Sequence, residues 1–105
     1  MRFIETSSFT RAVTDLLTDE EYRSLQTALL LRPEQGALIK SGGGLRKLRW
    51  KQRGRGKRGG VRVIYYWYVE GGLLYMVYAY AKADQGDLTP PQIRKLAQLV
   101  REEFK

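Results

Sequence analysis

A chain with no histidine and no cysteine has few ways to move a proton or hold a metal. His-ligated zinc, thiolate chemistry and Ser-His nucleophiles are excluded, so proton transfer falls to lysine, tyrosine and the carboxylates. No metal or small-molecule cofactor is expected. The cations are concentrated instead: Arg46, Lys47, Arg49, Lys51, Arg53, Arg55, Lys57, Arg58 and Arg62 are nine of the nineteen lysines and arginines, in a stretch without an acid. The rest of the chain sets ten cations against eleven acids, a balance of −1. The net charge of +8 therefore belongs to one segment of a near-neutral chain. That is the electrostatic footprint of a polyanion-binding protein.

Guanidinium groups bind phosphate through two parallel hydrogen bonds, and tyrosine rings stack on unpaired bases. Arg46, Arg53, Arg55, Lys57, Arg58 and Tyr80 are the candidate RNA contacts on this reasoning. Cleavage by a neighbouring 2′-OH needs more. One group must take its proton, another must stabilise the charged phosphorane, and a third must protonate the leaving oxygen. Without histidine, Lys47 and Lys82 are the candidate proton carriers, since like charge from nearby arginines pushes a lysine pKa down. Arg62 stands alone in an otherwise apolar run, and is the candidate for stabilising the phosphorane.

The elements that must position these residues are legible in the periodicity. Arg2–Glu5 reads as a short strand, and Ser7 or Ser8 is expected to cap a helix carrying Phe9, Ala12, Val13, Leu16 and Leu17 on one face. Thr18 with Glu21 is a capping-box pattern that starts a second helix, with Tyr22, Leu25, Ala28 and Leu29 inward and Pro33 and Gly36 ending it. Three glycines at 42–44 lead into a strand at about 45–51, and a glycine-rich basic loop spans 52–60. The β-branched and aromatic run 61–69 is a strand. Glu70-Gly71-Gly72 turns it into a returning strand, 73–81. Thr89 caps a last helix with Pro90 at its first position and Ile93, Leu96, Ala97, Val100 and Phe104 on its apolar face. The order β-α-α-β-β-β-α makes a single α+β domain over residues 1–105, with an antiparallel or mixed sheet.

A turn centred on Gly71 sets Arg62 opposite Tyr80, give or take a residue, with Lys82 next to it. The strand at 45–51 brings Lys47 and Arg49, on one face, to the same sheet end. Other readings are blander. Tyr65, Trp67 and Tyr75 are expected in the core. Gly54–Gly59 fits a dinucleotide fingerprint by spacing, but that motif needs a helix after it, and a strand follows. Gly56-Lys57 lacks the Ser/Thr of a phosphate loop. Asp84 and Asp87 are expected to start the turn before the last helix and not to hold a metal. No apolar segment follows Met1-Arg2, and none reaches the roughly 20 residues of a membrane span. A cytoplasmic protein is expected.

The ordered string Gly43-Gly44-Leu45-Arg46-Lys47-Leu48-Arg49, then Gly54–Tyr66, with Pro33, Gly36 and Ile39 before it, resembles the RelE/ParE superfamily and its HigB-like, RelE-type members. Tyr80-Ala81-Lys82 resembles that family's Tyr-x-Lys at the strand end. The resemblance implies a compact RelE-like fold and metal-independent endonucleolytic cleavage of messenger RNA, usually in the ribosomal A site, inhibiting translation. It implies inhibition by a cognate antitoxin. By position it assigns Lys47 and Arg49 to the family's basic pair, Arg62 to its phosphate-stabilising arginine, and Lys82 to the basic residue ending the last strand. Residues 83–88 lack the arginine and the base-stacking tyrosine that RelE-type sites often carry there, which leaves the general acid open. Two alternatives stand beside the nuclease: a ParE-like inhibitor of DNA gyrase, and a non-catalytic RNA- or ribosome-binding module.

Overall fold

The computed structural model describes residues 1–51 and 60–104. Its elements are β1 (Arg2–Glu5), α1 (Ser7–Leu16), α2 (Asp19–Leu31), β2 (Ala37–Leu38), β3 (Leu45–Trp50), β4 (Val61–Tyr68), β5 (Leu73–Ala81) and α3 (Pro90–Glu103). The α+β order matches the expectation, with one addition: two residues, Ala37 and Leu38, form an edge strand. A pair of residues is too short to leave a period in the sequence. The sheet runs β1-β5-β4-β3-β2. It is mixed, because β1 pairs parallel with β5 while the other neighbours are antiparallel.

Apolar periodicity decides which helix covers which face. Phe9, Val13 and Leu17 of the α1 segment and Leu25 and Leu29 of α2 pack on Leu48, Val63, Tyr65, Leu74, Met76 and Ala79. On the opposite face Ala97 and Val100 of α3 pack with Leu45, Ile64, Tyr75, Val77 and Leu88. Tyr65 is a core residue, as expected: its hydroxyl donates to the Pro33 carbonyl at 2.7 Å and accepts from the Gly36 amide at 2.9 Å. Tyr75 is also buried, edge-on to Phe104, and Trp67 packs against the α1–α2 core.

The capping boxes at Thr18/Glu21 and Thr89/Gln92 are both formed. The first helix differs from expectation. Its N-cap is Thr6 and not Ser7 or Ser8, which lie within the helix. Thr6 Oγ1 accepts from the Phe9 amide at 3.0 Å and donates to the Val77 carbonyl at 2.7 Å. One hydroxyl thus caps α1 and satisfies a carbonyl of β5, which neither serine is placed to do. Among the described residues no helix is long and apolar enough to cross a membrane.

Candidate active site

The site is built by register. Arg49 of β3 pairs with Arg62 of β4, and Arg62 pairs with Tyr80 of β5. In the next row Lys47 pairs with Ile64, and Ile64 with Tyr78. Leu48 packs into the α1–α2 core, so its neighbours Lys47 and Arg49 point to the α3 face. Arg62 alternates with Val61 and Val63, which are in that same core, and so joins them. Lys82 follows at the end of β5, its amide bonded to the Gly60 carbonyl at 3.0 Å. Lys47, Arg49, Arg62 and Tyr80 therefore share one end and one face of the sheet, and Lys82 lies at that same end.

A bulge makes this possible. From the turn as far as Tyr65↔Met76 the β4–β5 ladder keeps one register, and from Ile64↔Tyr78 it keeps another. Val77 is the extra residue. In an unbroken ladder Ala79 would face Arg62 and Tyr80 would fall on the α1–α2 side. The inserted residue turns Tyr80 onto the cationic face. The carbonyl of Val77 is the one that Thr6 satisfies.

Beyond Ala81 the chain crosses the sheet. Asp87 lies six positions on, yet its carboxylate accepts from Lys47 Nζ on β3 at 3.0 Å, two strands from β5. The same oxygen accepts from the Leu88 amide at 2.9 Å. Gln85 Nε2 donates to the Asp87 carbonyl at 2.9 Å and to Gln92 Oε1 at 2.6 Å, fastening the loop to α3. Lys82 folds back over this loop: a side-chain carbon added at Gly86 would sit 3.6 Å from its Nζ. Asp87 was expected as a turn former. It caps Leu88 as such a residue does, but it also enters the cationic cluster. No short-range pattern signals that, because Lys47 is 40 positions away in sequence.

The surroundings of Lys47 are therefore not purely cationic, as the sequence had suggested. The bond from Lys47 is the main cause of an Asp87 pKa below its ordinary 3.8, helped by the Leu88 amide and the charge of Lys82. Arg62 and Tyr80 are each only 5% exposed. Burial raises the Tyr80 pKa above its ordinary value; Asp87 raises it further and Arg62 opposes. The Tyr80 ring packs beside Tyr78 and Leu88, so it offers no open face for stacking on a base. A groove of about 310 Å³ opens beside Lys47 and Asp87, lined also by Lys40, Leu38, Ile39 and Ile93.

The remaining candidates lie elsewhere. Arg46 is on the opposite face from Lys47, and its Nη1 donates to the carbonyls of Glu34 and Gly36, both at 2.8 Å. It secures the loop after α2. Arg53, Arg55, Lys57 and Arg58 lie outside the described residues. Among the described residues no group of three or more histidines, cysteines or acids is placed to hold a metal ion. Over residues 1–105 the chain matches the family described as the RelE toxin of the RelE/RelB toxin–antitoxin system.

Proposed function

The chain belongs to the RelE toxin family, which makes it the toxin of a toxin–antitoxin pair, and from that premise we propose that it is an endoribonuclease that cleaves messenger RNA in the ribosomal A site. The observation that carries the reading is the row Arg49–Arg62–Tyr80 with Lys47 beside it and Lys82 at the strand end. A gyrase inhibitor needs no such convergent set. Residues 1–105 act here as one toxin domain, and its partners are a cognate antitoxin, the ribosome and messenger RNA.

In this reading a 2′-OH attacks the adjacent phosphorus. The new 2′-O–P bond forms as the P–O bond to the departing 5′-oxygen breaks, leaving a cyclic phosphate and a 5′-OH. Arg62 supplies fixed positive charge where negative charge grows. Held at 5% exposure, it acts in surroundings of low dielectric, where such charge counts most. Arg49 and Lys82 hold the phosphates on either side. One proton leaves the 2′-OH and one reaches the 5′-oxygen. Lys47 with Asp87, and Lys82, are the titratable groups that the cluster offers for this exchange. No step needs a metal, because the fixed cations supply the charge.

Primer extension on a defined messenger RNA in a reconstituted translation reaction tests the reading. It predicts new 5′ ends within codons when ribosomes are present. Blocked translation with intact messenger would instead point to a binding module, and untouched translation with lost supercoiling to a gyrase inhibitor.

A further inference from the structure

Two buried polar side-chain atoms lack a hydrogen-bond partner among the described residues: Trp67 Nε1 and Tyr80 Oη. They differ in their surroundings. Trp67 packs against the α1–α2 core. Tyr80 lies opposite Arg62 on the cationic face and feels the charge of Asp87. A hydroxyl taken out of water without a partner destabilises the fold. A phenylalanine would fill the same space without that cost. A bulge is also spent on turning this side chain toward Arg62. A ring wanted only for packing has no use for an unpaired hydroxyl aimed among charges.

We infer that Tyr80 Oη is a hydrogen-bond donor for the RNA, satisfied only when a phosphate oxygen or the leaving 5′-oxygen occupies the site beside Arg62. The inference rests on the nuclease reading and adds a neutral donor to its cations. Burial and the nearby carboxylate both keep the phenol protonated at neutral pH, so it can only donate to an anionic phosphate. A phosphate brought to this place meets Asp87, whose charge already bears on Tyr80. Asp87 is 71% exposed in its side chain, and bridges this open contribute little to stability, so a phosphate that recruits Lys47 can displace it.

The role differs from base stacking, for which the ring would have to be open. It is also separable from a purely structural role. Tyr80→Phe keeps the ring and its packing and removes only the hydroxyl. The test measures ribosome-dependent cleavage by primer extension, in single turnover, alongside the thermal midpoint of the free protein. The expected result is cleavage lowered about 100-fold, the effect of removing one donor from a developing charge, with a midpoint equal to the wild type or several degrees higher. Cleavage at the wild-type rate overturns the inference while leaving the nuclease reading intact. Lost cleavage with a lowered midpoint also overturns it, because the hydroxyl would then have a structural partner. A wild-type protein that cuts no messenger under the same conditions overturns the nuclease reading and this inference together.

Discussion

At the scale of single residues, the site is a balance between fixed cations and one carboxylate. Asp87 is the residue that sequence reasoning undervalued. A pair of loop aspartates near a helix start reads most simply as turn chemistry, and Asp87 does accept from the Leu88 amide. Its second role depends on a loop that crosses two strands, which no local pattern reveals. The sign of its contribution follows from its lowered pKa. The stabilisation is present above the ordinary carboxylate pKa of 3.8 and is lost as pH falls through the lower folded value. Because the side chain is largely exposed, the pair contributes no more than about 0.5 kcal/mol after screening. Asp87→Asn should therefore cost little at pH 7, and the gap to the wild type should shrink as the pH falls below 3.8. Urea unfolding across that pH range checks this. A gap that widens in acid would mean that Asp87 is not held ionised by Lys47.

At the scale of elements, most of the framework was legible. The helical stripes, the capping box at Thr18, the proline at the start of α3 and the β4–β5 hairpin all follow from periodicity and turn chemistry. The pairing of Arg62 with Tyr80 is legible too, but the bulge that produces it is not. A turn centred on Gly71 gives that pairing directly. The actual ladder leaves the turn as Tyr68↔Leu73, one residue out of that register, and the bulge at Val77 restores it. The bulge left no trace in the sequence because Met76, Val77 and Tyr78 are all good strand residues. Its support is Thr6, whose hydroxyl bonds both the Phe9 amide and the Val77 carbonyl. Thr6→Val should then destabilise the fold by about 1–3 kcal/mol, since it removes a cap and leaves a carbonyl unsatisfied. Thr6→Ser should recover most of the loss. Chemical denaturation of the two variants decides, and equal stability of Thr6→Val and wild type would show that the bulge does not depend on this hydroxyl.

At the scale of the whole molecule, charge and fold divide the work. The two apolar faces of the sheet are covered by α1–α2 and by α3, and the cationic segment gives Leu48 and Val61 to the first of them. Four cations, Lys47, Arg49, Arg62 and Lys82, are gathered at one end of the sheet. If each meets a phosphate of single-stranded RNA, affinity should fall roughly 50-fold between about 50 and 200 mM salt. Fluorescence anisotropy with a labelled RNA oligonucleotide gives that slope. Binding that ignores salt would contradict an electrostatic interface.

The proposed reaction is cleavage of messenger RNA at this sheet end through Arg62. Primer extension in a reconstituted translation reaction, comparing wild type with Arg62→Ala, tests it most directly. The wild type should cleave in a ribosome-dependent manner and the variant should lose about 100-fold or more, while still folded by circular dichroism. Equal cleavage by a folded Arg62→Ala protein, or none by the wild type, would contradict it.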